Sequence, residues 1–144
     1  MIHDLTIEQL GRVLDVLPVE LAFIDADDRV RFWNRAADRG PAWQSSALGQ
    51  PVQSCHRPTS VPAVNGVLAK LRSGARDVVD RRVLTERGLT RFRWFAVRAE
   101  SGEYLGAVEM IQYGPEVPAE GTDAASGQIG QRSSHESDDT SRHR

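Results

Sequence analysis

Residues 53–60 read Q-S-C-H-R-P-T-S and place the chain's single cysteine, Cys55, directly before His56, one of four histidines. A thiolate and an imidazole are versatile side chains, serving as metal ligands or as nucleophile and base. Three readings follow: ligation of a metal or haem, nucleophilic catalysis, or a helix entrance that happens to carry both. Adjacent side chains of an extended segment point to opposite faces, so at most one of the two would reach a given metal. A hydrolase needs a nucleophile, a base and an orienting acid to converge. Apart from His3 near the terminus, His56 is the only histidine before the tail, and no G-x-S-x-G run accompanies it. The chain is therefore read as no enzyme and without a metal site, His56 being the candidate ligand if one exists. On this reading Cys55 is a small buried hydrophobe and His56 bonds backbone at the helix entrance.

The elements around this stretch are punctuated regularly. Leu5, Leu10, Val13, Leu14 and Leu17 recur at helical spacing, with Asp4 or Thr6 as N-cap and Pro18 as the stop. The runs L-A-F-I-D and R-V-R-F-W-N flank A-D-D, a hairpin signal. Strict alternation puts Val30 and Phe32 on one face, with Arg29, Arg31 and Trp33 on the other. Asn34 is a good N-cap for a short turn, A-A-D-R, and Gly40-Pro41 and Gly49-Gln50-Pro51 break the chain. A longer helix is expected over residues 60–72, with Val61, Val64, Val67, Leu68 and Leu71 as its apolar stripe and Gly74 as its stop. Residues 77–86, 90–99 and 104–113 then read as a three-stranded meander, with Phe92 and Trp94 on one face and Phe95 and Val97 on the other. The order is α+β: an N-terminal helix, then a five-stranded antiparallel sheet with helices packed on one face.

Composition sets the outer limits. A chain of 144 residues has room for one core, here divided as an N-terminal helix over 1–17, a domain over 18–113 and a tail over 114–144. The tail holds only Val117 and Ile129 as aliphatic residues larger than alanine. It cannot offset the roughly 1–2 kcal/mol per residue of backbone ordering, so it is expected to be disordered. Net charge is −2, which implies no polyanion partner. Arg91, Arg93 and Arg98 lie among aromatics, but Glu86, Glu100, Glu103 and Glu109 are expected to balance them on a solvated face, so nucleic acid is excluded. One cysteine, no signal-peptide pattern and no apolar run of about 18–20 residues point to a cytoplasmic protein with no membrane partner.

The residue order resembles a PAS domain, a sensor and interaction module. Residues 14–34, L-D-V-L-P-V-E-L-A-F-I-D-A-D-D-R-V-R-F-W-N, resemble the opening helix and first two strands of that fold. Residues 47–61, A-L-G-Q-P-V-Q-S-C-H-R-P-T-S-V, together with 71–78 and 91–112, are similar to a narrower PAS subgroup. That subgroup follows hemerythrin-like helical domains in the bacterial DUF438 family. The third strand, D-V-V-D-R-R-V, is less aromatic than the subgroup's, and the domain stands almost alone here.

The resemblance implies a ligand cavity between the inner sheet face and the long helix. Its candidate lining is Phe23, Phe32, Leu48, Cys55, His56, Val64, Leu68, Phe92, Trp94 and Met110. Flavin is disfavoured, because Cys55 lies six residues after Gly49 and lacks the R-F-L-Q continuation of flavin-binding relatives. Haem-binding relatives carry their histidine on or near the long helix, and His56 lies just before it. The outer sheet face and the N-terminal helix, through Leu10, Leu14, Trp33, Phe95 and Val97, imply a homodimer or a signalling protein partner. The function expected is a small stand-alone sensory or interaction module. Its alternatives are a haem- or metal-dependent redox or gas sensor using His56 or Cys55, and a scaffold without ligand.

Overall fold

A computed structural model describes residues 3–37 and 45–114. The remainder of the expected turn past Ala37, the Gly40-Pro41 break and the tail beyond Gly114 lie outside these described residues. Helix α1 (Ile7–Asp15) starts at a reciprocal cap. Thr6 Oγ1 accepts from the Gln9 amide at 3.1 Å, and the Gln9 side chain accepts from the Thr6 amide at 2.9 Å. Strands β1 (Glu20–Asp25) and β2 (Val30–Trp33) are joined by a turn that Asp25 organises. Its carboxylate accepts from the amides of Asp27 and Arg29, and Asp28 takes the left-handed conformation at φ +59°. Three single 3-10 turns, Ser45–Ala47, Val52–Cys55 and Pro58–Ser60, lead into α2 (Val61–Ser73). Gly74 at φ +79° ends α2, and β3 (Val78–Thr85), β4 (Gly88–Arg98) and β5 (Tyr104–Tyr113) complete the chain.

All five strands pair antiparallel in the order β2-β1-β5-β4-β3, so the last strand is the central one. On the inner face Ala22, Ile24, Val30, Trp94 and Ala107 meet Val64, Val67, Leu68 and Leu71 of α2, with Val52 closing the layer. Burying each of the larger of these is worth roughly 1.5–3 kcal/mol, so α2 is held by its apolar face. By contrast α1 buries no residue, and Ile7 and Val16 are 90% and 79% exposed. Hydrogen bonds hold its end instead: Asn34 Nδ2 donates to the Leu14 carbonyl at 3.0 Å, and the Arg35 amide donates to Asp15 at 2.9 Å.

Two faces differ from the alternation read in the sequence. The β1–β2 register slips between Phe23 and Ile24, which pair with Phe32 and Val30. Arg31 is the extra residue of this bulge, its Nε on Asp25 Oδ2 at 2.6 Å. Val30 and Trp33 therefore share the inner face, and Phe32 turns outward opposite Phe23. Met110 pairs with Leu21 and Arg93 on that same outer face. The expected cavity residues Phe23, Phe32 and Met110 thus lie on the outside of the sheet, and Trp33, expected at an outer interface, packs against the core. Leu48 is half exposed on a turn and lines neither face.

Asn34 is fully buried and spends its whole side chain on backbone. Its Oδ1 accepts from the Leu21 and Ala37 amides, and its Nδ2 donates to the Leu14 and Val19 carbonyls. Replacing it by alanine strands four backbone groups, each costing about 1–3 kcal/mol where water cannot reach. Asn34→Ala is expected to destabilise the domain by at least about 3 kcal/mol in urea denaturation; a loss below about 1 kcal/mol would refute this joint.

Candidate functional site

The central strand carries an acid inward. Glu109 lies between Ala107 and Ile111 on the inner face of β5, opposite Ala22 of β1 and Trp94 of β4, and is 3% exposed. Burial pushes its carboxyl up to about 8, and the nearby charge of Glu20 pushes the same way. Its Oε2 has no hydrogen-bond partner, and its Oε1 lies 4.0 Å from His56 Nε2.

His56 is aimed by the turn before it. The Val52 side chain is fully buried and its amide donates to the Asp28 carbonyl at 2.8 Å, so this turn is anchored to the β1–β2 hairpin. The Val52 carbonyl lies 2.9 Å from His56 Nδ1. Since a carbonyl only accepts, Nδ1 carries a hydrogen, so in the neutral tautomer it is Nε2, the nitrogen facing Glu109, that accepts. The imidazole also lies beside Trp94, with ring centroids 6.4 Å apart. Around these groups His56, Ser60, Val64, Val67, Arg81, Phe92, Trp94 and Glu109 border a cavity of about 190 Å³ under the first half of α2.

A wider opening of about 670 Å³ adjoins it, bordered by Glu20, Cys55, His56, Arg57, Arg87 and Tyr113 among others. Cys55 and His56 share this mouth, Cys55 as the last residue of a helical turn and His56 as its cap. The extended backbone assumed from sequence would have sent them apart. Burial holds the Cys55 thiol above its ordinary value, Ser54 pulls it down and the Glu109 charge adds to the rise, so the sulfur stays protonated at neutral pH. Glu20 is buried as well, and burial raises its carboxyl despite its partners. Those partners are Tyr113, whose hydroxyl donates at 3.3 Å, and Arg87 at 3.5 Å, which also lies over the Tyr113 ring. Of the two inner carboxyls, Glu20 has hydrogen-bond partners and Glu109 has none.

Of the residues expected to line a cavity, Val64, Phe92, Trp94 and His56 border the inner one, and Cys55 borders its mouth. Leu68 is buried in the core beneath α2. Among the described residues no three His, Cys, Asp or Glu side chains are grouped to hold a metal ion. Glu109 was expected on a solvated face, and its burial is the correction that matters most. Both faces of β5 carry apolar residues, Ala107 and Ile111 inward, Val108 and Met110 outward, so period two alone did not assign its sides. On the outer face Leu14, Leu21, Phe23, Phe32, Val97 and Val108 border an apolar groove of about 330 Å³. Leu10 is partly exposed on α1, and Phe95 is half buried under the Arg93 guanidinium.

Folding keeps a proton on Glu109 that the unfolded chain, with its carboxyl near 4.5, gives up. The native state therefore binds more protons between pH 4.5 and 8, and stability falls as pH rises through that window. The loss from this one group is on the order of 4 kcal/mol. Glu20, also raised, adds a smaller loss of the same sign. Urea denaturation is expected to show wild type markedly less stable at pH 8.5 than at pH 5, with most of that slope gone in Glu109→Gln. An unchanged slope in the variant would show that the carboxyl is not protonated in the fold.

The sequence profile of PAS domains matches residues 10–112. The C-terminal domain of a Streptococcus mutans protein is 30% identical over 78% of this chain and 90% of that one, with a TM-score of 0.70. The PAS domain of BvgS from Bordetella pertussis is 18% identical, covering 76% of this chain and 86% of its own, with a TM-score of 0.60. A PAS domain from Colwellia psychrerythraea is 16% identical, covering 74% and 94%, with a TM-score of 0.58. No curated protein matches the chain. With most of its length under that profile, and a five-stranded sheet whose last strand is central, the chain belongs to the PAS domain family.

Proposed function

We propose that this PAS domain senses a small ligand held between the sheet and α2, and signals through contacts of α1 and the outer sheet face with a second copy of the chain. The observation that carries the reading is the buried Glu109 carboxyl, with a bare oxygen, on the wall of the inner cavity. An uncompensated buried carboxyl opposes folding, and its retention is explained if something else completes it. Signal transfer follows from the same strand: β5 presents Glu109 inward and Val108 and Met110 outward, so a ligand that shifts β5 is felt on the outer groove. That requires the ligand to favour one of two arrangements.

The output surface is apolar and uncovered. Ile7, Leu10, Val13 and Leu14 fall on one side of α1, and the groove bordered by Leu14, Phe32, Val97 and Val108 runs beside it. The reading also takes the module as cytoplasmic, non-enzymatic and without nucleic acid. Supporting the last point, Arg91 makes a two-pronged pair with Asp80 and Arg93 bonds Gln112, so both are engaged on the sheet. Among the described residues no helix is long and apolar enough to cross a membrane. Kinship with the subgroup that follows hemerythrin-like domains rests on the runs quoted above, and no site is carried over from it.

A haem or metal sensor at His56 is the second reading. Nδ1 is held by Val52, so an iron must bind Nε2, at about 2 Å. That places it against the Glu109 carboxyl, which would have to swing away.

Two measurements test the proposal. Native mass spectrometry of the full chain from cells supplied with haem is expected to show a bound small molecule lost on denaturation, without a Soret band in its spectrum. A Soret band lost in His56→Ala would install the second reading instead. Light scattering is expected to show a dimer that Ile7→Glu with Leu10→Glu weakens at least tenfold, with stability changed by less than about 1 kcal/mol because α1 buries nothing. A wild-type monomer at 100 µM-scale concentration (on the order of what a weak signalling dimer tolerates) would sink the dimer.

A further inference from the structure

We infer that the inner cavity selects a single-ring ligand bearing a cationic N–H donor, an amidinium or protonated amine, held between Glu109 and His56. The inference rests on the reading that this cavity is a ligand site, and it names what that ligand must carry.

With the Glu109 proton displaced, the polar wall is made of acceptors. Glu109 Oε2 has no partner, and His56 Nε2 is the bare nitrogen of a ring whose Nδ1–H is committed to the Val52 carbonyl. A ligand completes these groups only by donating. An amidinium presents two parallel N–H groups, which match the two oxygens of a carboxylate. Charge points the same way. The titratable groups around Glu109 are Cys55 and His56 from the turn before α2, Glu20 from β1 and Arg81 from β3, and the Cys55 thiol is uncharged at neutral pH. Glu20 is the neighbouring charge felt at Glu109, and it repels a second anion there. Arg81 borders the cavity from an exposed position.

The remaining walls set shape and size. Val64, Val67, Phe92 and Trp94 are apolar, and a cation beside the Trp94 ring gains from its π face. A protein cavity of about 150 Å³ accepts a benzene ring. At about 190 Å³ this one takes a ring with one small substituent. A cation beside Glu109 also displaces its proton, which burial otherwise keeps in place up to about pH 8. Binding then releases a proton and tightens as pH rises towards that value, whereas a neutral donor gains nothing from pH.

The probes are benzamidine, its neutral isostere benzamide and the anion benzoate, titrated calorimetrically into the full chain at pH 6 and pH 8. Benzamidine is expected to bind at least tenfold tighter than benzamide at pH 8, with benzoate weakest. Its affinity should rise about tenfold or more from pH 6 to pH 8, with heats that track the buffer's ionisation. Glu109→Gln should erase both the preference for benzamidine over benzamide and the slope. Should that variant fail to fold, benzamidine must still shift the Trp94 indole and His56 ring signals in wild-type NMR spectra. Benzoate binding as tightly as benzamidine, or no shift at Trp94 and His56, overturns the inference. If none of the probes binds while native mass spectrometry still finds a small molecule, the ligand class is wrong and the sensing reading stands.

Discussion

The joint at Asn34 holds the parts of this domain in relation to one another. Four backbone groups from four places, Leu14, Val19, Leu21 and Ala37, converge on one buried amide. A hydrophobic residue of the same size would fill the space but satisfy none of them. Because the amide has both donors and acceptors, it fixes where α1 ends, where β1 begins and how the chain leaves β2. The apolar layer between α2 and the sheet provides most of the burial. Asn34 ties the end of the N-terminal helix to the strands, and α1 has no buried side chain of its own to place it.

That division has a dynamic consequence. Elements held by apolar burial resist displacement, because moving them exposes area at roughly 25 cal/mol per Å². Elements held by a few hydrogen bonds can exchange those bonds for water at much lower net cost. In this domain α2 belongs to the first kind and α1 to the second. The cavity lies under α2, and the exposed apolar residues Ile7, Leu10 and Val13 lie on α1. Between them runs β5, paired along its length with β1 and β4, so it cannot shift without moving both.

Much of the architecture could be read from residue order, and the failures share one cause. Caps and stops are local chemistry: Thr6 with Gln9, the Asp25 turn and Gly74 each act within a few residues, and each lies where the sequence puts it. The stripe of α2 was also legible, because Val64, Val67, Leu68 and Leu71 are spaced by three and four. Sidedness of strands was not, wherever both faces carry apolar residues. The bulge at Arg31 reverses Phe32 and Trp33, and nothing short of the pairing partner reveals it. Met110 and Glu109 were exchanged for the same reason. A carboxylate is ordinarily read as the solvent side of a strand, and that rule fails where the strand is central and roofed by a helix.

Glu109 and Glu20 together show what such a failure conceals. Both are acids on the inner face of neighbouring strands, two residues apart in register. Tyr113 and Arg87 meet Glu20 from the rim, and its burial is thereby made tolerable. Nothing of the kind reaches Glu109, although arginine is abundant on this sheet. Arg91 and Arg93 stand on the same strand as Trp94, three and one residues away, but with their side chains on the opposite face. On the inner side Arg87 meets Glu20, and Arg81 borders the cavity only from an exposed position, so Glu109 is left without a paired cation among the described residues. The cavity lies on that side, and His56, with its free nitrogen fixed towards the acid by the Val52 carbonyl, borders it. Neighbours in sequence, Cys55 and His56 thus differ in surroundings: the thiol is held protonated at the mouth, and the imidazole faces a carboxyl fifty-three positions further along the chain.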